Sequence, residues 1–205
     1  MTRQVHPIEV ESYAILRARL DLYGLPRYTT AVIERVVHAT ADLEYASDLV
    51  CDEQALAAGA AALAAGAPLV VDAAMVAAGV TSRPSLCLVG DPRAAERAAA
   101  RGGTRSAAAF GIAAEQVRGG AVWVVGNAPT ALFALLSLDV SPSLVIGLPV
   151  GFVGARESKA ALRASGLPAL SNVSEKGGSP VAAAAVNALL YADLVPGNES
   201  DRDHR

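Results

Sequence analysis

The stretch Val124-Val125-Gly126-Asn127-Ala128-Pro129-Thr130-Ala131-Leu132-Phe133 limits the fold of this chain more than any other. A β-branched run ends in a glycine, an Asn-Ala-Pro-Thr turn follows, and an apolar helical stretch begins. This is a strand-to-helix junction. The same plan recurs at Ile146-Gly147-Leu148-Pro149-Val150-Gly151-Phe152-Val153-Gly154-Ala155-Arg156-Glu157-Ser158-Lys159. Open parallel sheets bind ligands beyond the carboxyl ends of their strands. Two such junctions in succession therefore predict one pocket, with a wall built from backbone.

Five short apolar runs read as buried parallel strands: Leu69–Val71, Leu86–Val89, Val122–Val125, Leu144–Ile146 and Ala169–Ser171. Helical patterns alternate with them at Ala94–Ala100, Ser106–Val117, Pro129–Leu138, Ala155–Ala164 and Pro180–Ala192. This alternation predicts an α/β fold, a three-layer doubly wound five-stranded parallel sheet whose strand count fits a flavodoxin-like order. Three helical segments, near Ile8–Tyr23, Thr29–Ala46 and Glu53–Ala65, precede the first strand as an N-terminal addition. Gly24-Leu25-Pro26 separates the first two. The length of 205 residues suits one domain over 1–195, and the polar segment 196–205 reads as a flexible tail.

Hydrophobic residues make up 53% of the chain but aromatics only 4%, which favours small-residue helices packed closely on a sheet. The net charge of -3 includes no basic stripe, so nucleic acid is not an expected partner. Cys51 and Cys87 lack metal or redox spacing and read as small buried hydrophobes in a reducing cytoplasm. The N-terminal MTRQVHPIEVES has no apolar signal core. The uncharged stretch Gly119–Leu138 is long enough to span a bilayer, but the Gly126–Pro129 turn interrupts it, so no membrane is expected. Dinucleotide, P-loop and GxSxG signatures are absent, as is any metal-ligand spacing.

His38 is the histidine best placed for chemistry, because His6 and His204 lie near the chain ends. Glu34, His38 and Asp42 stand at i, i+4 and i+8 on one helical stripe, while Val32, Val36, Ala39 and Leu43 form another. Carboxylates one turn away on each side would favour the imidazolium. Ser12 is either a cap or a hydroxyl for a ligand. Arg83 precedes a strand, and Arg105 follows Thr104 at a helix start, where free N–H groups and the helix dipole attract anions. Gly147, Gly151, Gly177 and Gly178 flank strand ends or open helices, where backbone could approach a flat ligand or simply turn. Phe152 fits core or the face of a ring equally.

Six blocks carry a resemblance. They are ESYAIL around Ser12, ERVVHATADLEYA around His38, GGTRSAAAF with Thr104, Arg105 and Ser106, GNAPTALF with Asn127, Ala128 and Thr130, GLPVGFVGARESK with Gly147, Gly151 and Phe152, and KGGSPVAAAAVNAL with Lys176, Gly177 and Gly178. Together, from about Ser12 to Leu194, the chain resembles the precorrin-8X methylmutase family of cobalamin biosynthesis. The resemblance implies a cytoplasmic isomerase that moves a methyl group from C-11 to C-12 of a tetrapyrrole, giving hydrogenobyrinate from precorrin-8X or cobyrinate from cobalt-precorrin-8. It implies His38 as general acid, substrate contacts among the block residues just named, no cofactor or metal, and a homodimer with the active site near the subunit interface; Arg83, from its own place before a strand, is expected to hold a further substrate carboxylate. Relatives commonly carry an arginine-containing stretch ahead of the glycine pair. Here Ser174-Glu175-Lys176 stands there, so Lys176 is expected to hold a substrate carboxylate with the Gly177-Gly178 backbone, and Glu175 to face solvent. The competing readings are a non-catalytic corrinoid carrier and an α/β enzyme for another anionic metabolite.

Overall fold

A computed structural model describes residues 6–117 and 119–192. The helices are α1 (Pro7–Arg17), α2 (Arg27–Thr40), α3 (Tyr45–Asp48), α4 (Glu53–Ala64), α5 (Ala74–Gly79), α6 (Pro92–Arg101), α7 (Arg105–Gln116), α8 (Pro129–Leu136), α9 (Ala155–Ala164) and α10 (Ser179–Tyr191). The strands are β1 (Leu49–Cys51), β2 (Leu69–Val71), β3 (Val122–Val125), β4 (Leu144–Gly147) and β5 (Ala169–Asn172). They form one sheet in the order β1-β5-β4-β3-β2. The polar tail expected at 196–205 lies outside the described residues.

The sheet is mixed, which corrects the all-parallel expectation. β2, β3, β4 and β5 are mutually parallel, and β1 runs antiparallel to β5 with Leu49 opposite Asn172. Four of the expected strands are present. Leu86–Val89 is not a strand: it makes a single parallel bridge from Leu86 to Val70, at the edge of the sheet beside β2. The fifth strand, β1, is too short for its period to register. Asp48 holds it in place, its Oδ1 accepting the N–H groups of Val173 at 3.1 Å and Ser174 at 2.8 Å. The stretch 119–138 is a strand, a turn and a helix. Among the described residues no helix is long and apolar enough to cross a membrane.

Side chains alternate across the sheet with the period of two that strands impose. Val122 and Val124 join one core with Leu69, Val71, Leu144, Ile146 and the apolar faces of α2, α4 and α10. Trp123 and Val125 join the other with Val145, Phe110 of α7, Leu132 of α8 and Leu162 of α9. Both faces are thus covered, and burial of each large side chain is worth about 1.5–3 kcal/mol. The run Ala182–Ala185 in α10 is buried between α2 and the sheet, where larger side chains would not fit so close an approach. At Gly147, a Cβ would come within 2.5 Å of the Leu162 side chain, so this glycine lets α9 lie directly on β4.

Candidate functional site

The α1–α2 corner builds the surroundings of His38. His6 caps α1 by accepting the Ile8 N–H on Nδ1 at 3.2 Å, and Pro7 opens the helix. α2 ends where Ala41 turns left-handed at φ 54°. Glu9, Tyr13 and Arg17 recur at i, i+4 and i+8 on α1 and meet Glu34, Arg35 and His38 of α2. Arg35 Nη1 donates to Glu9 Oε1 at 2.8 Å and to the Tyr13 hydroxyl at 3.2 Å. Arg17 grips Glu34 with two bonds of 2.6 and 2.9 Å. Glu34 is only 7% exposed, and a carboxylate that deep requires a paired cation.

Ser12 and His38 come together: Ser12 Oγ lies 2.9 Å from His38 Nδ1. The Tyr13 and His38 rings stack, with centroids 4.8 Å apart and planes 7° from parallel. Among the described residues Ser12 is the imidazole's one hydrogen-bond partner, which leaves Nε2 unengaged. Partial burial, reinforced by the Arg35 charge, holds the His38 pKa below its ordinary value, against a smaller opposing effect of Glu9. This corrects the expectation that Glu34 and Asp42 favour the imidazolium. Glu34 is turned inward and spent on Arg17. Asp42 lies past the helix end and is held by Lys176 Nζ at 2.6 Å, which lowers its own pKa. The apolar stripe is shifted as well, because Val32, Ile33, Val36 and Val37 are buried while Ala39 and Leu43 are exposed.

The glycine junction after β3 closes on a residue that sequence reasoning missed. Asp72 follows β2 and is wholly buried. Its Oδ1 accepts the Gly126 N–H at 2.9 Å, and its Oδ2 accepts the N–H groups of Asn127 at 2.9 Å and Ala128 at 2.7 Å. Burial pushes the Asp72 pKa up and the three amides pull against it. The anion cradle at this turn is therefore filled by the protein's own carboxylate. The signal was an acidic residue directly after a buried strand. Beyond the turn, Thr130 Oγ1 and Thr104 Oγ1 lie 2.7 Å apart, and Thr104 also caps α7 by accepting the Ala107 N–H at 3.2 Å. Ser106 is buried. Arg105 is exposed, with no hydrogen bond or ion pair among the described residues.

At the end of β5 the expected anion contact has other owners. Lys176 Nζ binds both Asp42 and Glu44, and the Gly178 N–H donates to the Leu148 carbonyl at 2.9 Å. Gly177, at φ 152°, would place a Cβ 2.3 Å from that same carbonyl, so only glycine fits there. Glu175 does face outward, with Arg156 4.0 Å away. Beneath this loop the wholly buried Lys159 donates from Nζ to Asn172 Oδ1 at 2.8 Å, to the Lys176 carbonyl at 2.7 Å and to the Ser174 carbonyl. Burial pushes its pKa down to about 8. Arg83 is likewise committed, donating to the Leu63 carbonyl at 2.8 Å and the Ala67 carbonyl at 2.6 Å, just past α4. Phe152 is 95% exposed beside Gly151, so it is not core. Neither Asp72 nor Lys159 stands in a charge pattern that periodicity detects.

A cavity of about 220 Å³ opens beside Tyr13, lined also by Arg17, Arg27, Arg35 and Tyr191. Among the described residues no group of three His, Cys, Asp or Glu side chains is placed to hold a metal ion.

Comparison with known proteins adds independent findings. The family model described as Precorrin-8X methylmutase matches residues 7–192. The precorrin-8X methylmutase of Pseudomonas aeruginosa is 44% identical over 191 residues, covering 87% of this chain and 91% of that one. The cobalt-precorrin-8 methylmutase of Salmonella typhimurium is 40% identical over 201 residues, covering 92% and 96%. A solved structure, the precorrin-8x methyl mutase from Thermus thermophilus, superimposes with a TM-score of 0.83 at 35% identity, covering 92% of this chain and 98% of that one.

Proposed function

The chain belongs to the precorrin-8X methylmutase family, and on that premise we propose that it isomerises precorrin-8X or cobalt-precorrin-8 in cobalamin biosynthesis with His38 as the acid. The methyl–carbon bond at C-11 breaks as the bond at C-12 forms, so atoms and electrons balance without an external donor. The product is hydrogenobyrinate or, with cobalt, cobyrinate. The observation that carries the reading is the Ser12–His38 contact at 2.9 Å. A hydroxyl both donates and accepts. It can donate to Nδ1 of the neutral ring and accept from Nδ1–H of the imidazolium, and in both states Nε2–H points away from Ser12. That N–H can protonate or hydrogen-bond a ring nitrogen of the substrate, which withdraws electron density and eases migration. Burial and Arg35 lower the pKa of the free histidine, and the carboxylates of a bound tetrapyrrole would offset this and favour the charged, proton-donating form.

Arg105, exposed at the start of α7 beside the Thr104–Thr130 hydroxyl pair, is the cation best placed for a substrate carboxylate. Phe152, at 95% exposure, offers a face for the macrocycle. We assign Arg83 and Lys176 to the fold instead. The cavity beside Tyr13, about 220 Å³, is below the roughly 300–1,000 Å³ of ordinary small-molecule pockets. A tetrapyrrole would therefore lie over the surface, with at most an edge group inside. We further propose a homodimer whose second subunit closes the site, acting in the cytoplasm as a single α/β unit over about 1–195. In the same reading, counting the Leu86 bridge as a rudimentary strand gives the sheet a flavodoxin-like order.

The test is to mix the purified protein with precorrin-8X and, separately, with cobalt-precorrin-8, and to follow the visible spectrum and the position of the methyl group. Conversion of either supports the reading. Binding of both without conversion returns the carrier reading, and binding of neither returns an enzyme for another anionic metabolite.

A further inference from the structure

We infer that Tyr13 is a positioning residue that sets the plane of the His38 imidazole, while the Arg35–Glu9 pair sets Tyr13. The inference rests on His38 as the acid of the proposed reaction. A single hydrogen bond at Nδ1 fixes one point of the ring and leaves its tilt about the Ser12 contact free. Stacking supplies the missing constraint, since Tyr13 covers one face at 4.8 Å with the planes 7° apart. Ser12 and Tyr13 are neighbours on α1, so one helical turn delivers the in-plane and the out-of-plane restraint together.

Tyr13 is itself held. Its hydroxyl accepts from Arg35 Nη1 at 3.2 Å, and Arg35 is anchored to Glu9 at 2.8 Å. The Arg17 guanidinium lies 5.6 Å from the Tyr13 ring centre and is locked to Glu34. Around the imidazole the charged and titratable groups are thus Glu9, Tyr13 and Arg17 from α1 and Glu34 and Arg35 from α2. Tyr191 of α10 faces Arg35 at 6.0 Å, and Asp42 past the helix end is neutralised by Lys176. Arg35 is the cation that opposes charging of His38, and Glu9 is the anion that tempers it. Tyr13 also shields one ring face from water. The arrangement gives Nε2 one direction and keeps the resting ring neutral.

The experiment compares Tyr13→Leu, Tyr13→Phe and Glu9→Gln with the parent. Nitrogen and carbon NMR on ligand-free protein reads the tautomer and titration of His38, and steady-state assays read kcat and KM against pH. Tyr13→Leu should expose the ring, raise the His38 pKa toward its ordinary value and mix the tautomers. It should also lower kcat by roughly 10- to 100-fold, as expected for a misplaced reacting group, with KM little changed. Tyr13→Phe retains the stack and should restore the parent tautomer and most of kcat. Glu9→Gln should move the His38 pKa in the opposite direction to Tyr13→Leu, an opposition that a merely structural role does not produce. An unchanged His38 titration and tautomer in Tyr13→Leu overturns the inference. Should that variant fail to fold, a Tyr13→Phe protein with scrambled tautomers, or a Glu9→Gln protein with a raised His38 pKa, overturns it instead. Because NMR needs no turnover, a parent that does not isomerise either tetrapyrrole refutes the proposed reaction while leaving this positioning intact.

Discussion

Replacing Asp72 by Asn should damage the fold out of proportion to a change of one atom. In the parent, two carboxylate oxygens collect three backbone N–H groups within 2.7–2.9 Å, and the side chain is wholly buried. An amide keeps one acceptor and places an NH2 group at the other position. With the oxygen turned to Asn127 and Ala128, the NH2 confronts the Gly126 N–H, donor against donor. Two charge-assisted bonds become neutral, at about 1 kcal/mol each, and one buried N–H is left unpaired at about 1–3 kcal/mol. Removing a buried charge, whose cost shows in the raised pKa of Asp72, returns part of this. The net loss is about 2–4 kcal/mol, which for a chain of this length lowers Tm by roughly 4–16 °C. Thermal and urea unfolding followed by circular dichroism would measure it. Amide hydrogen exchange at Gly126, Asn127 and Ala128 would locate it. Stability within about 0.5 kcal/mol of the parent, the range of an ordinary surface change, together with unaltered exchange at those amides, would refute the reasoning.

Three further outcomes are expected. His38→Ala should lower turnover by about 10²–10⁴-fold while tetrapyrrole binding, read from the visible spectrum, persists; near-normal turnover would remove His38 from the mechanism. The His38 pKa is depressed in the folded chain, so as pH falls below about 6.5 the unfolded chain takes up the proton first. Stability that is fully present above that value is then lost as pH falls toward the folded pKa. Urea midpoints measured across this range should show the decline, and His38→Gln should lack this share of it. Arg105→Ala should weaken tetrapyrrole binding by about 1.5–3 kcal/mol, the worth of one charge-assisted bond, at unchanged Tm, whereas Arg83→Ala should lower Tm and leave affinity alone; the reverse pattern in a ligand titration and melt would exchange their roles.

Periodicity and turn chemistry carried most of the architecture. The bounds of Leu69–Val71, Val122–Val125 and Ala155–Ala164 were legible because each is apolar at its own period and is bounded on at least one side by Gly, Pro, Asp or Ser. β1 was not legible. Its three residues sit at an edge and are held by Asp48 through bonds to residues far along the chain, which no local pattern records. Leu86–Val89 erred the other way. Its apolar run satisfies strand chemistry, but only Leu86 meets a neighbouring strand, because pairing is decided between segments and not within one.

The candidate site divides along the same line. The sequence by itself determined that a histidine block, a serine block and two glycine junctions exist, and their residue types constrain the chemistry each can perform. Only the tertiary structure decided which charges are available. Glu34 and Asp42 share a helical stripe with His38 on paper, yet one is paired to Arg17 from α1 and the other to Lys176 from beyond β5. Lys176 and Arg83 read as anion sites, yet both are consumed by internal acceptors, while Arg105 remains exposed. Tyr13 became part of the site only when α1 packed on α2. The physical reason is that a charge or a hydrogen-bonding group is defined by its partners, and partners here come from 16 to 134 residues away, a distance that folding closes and local pattern cannot.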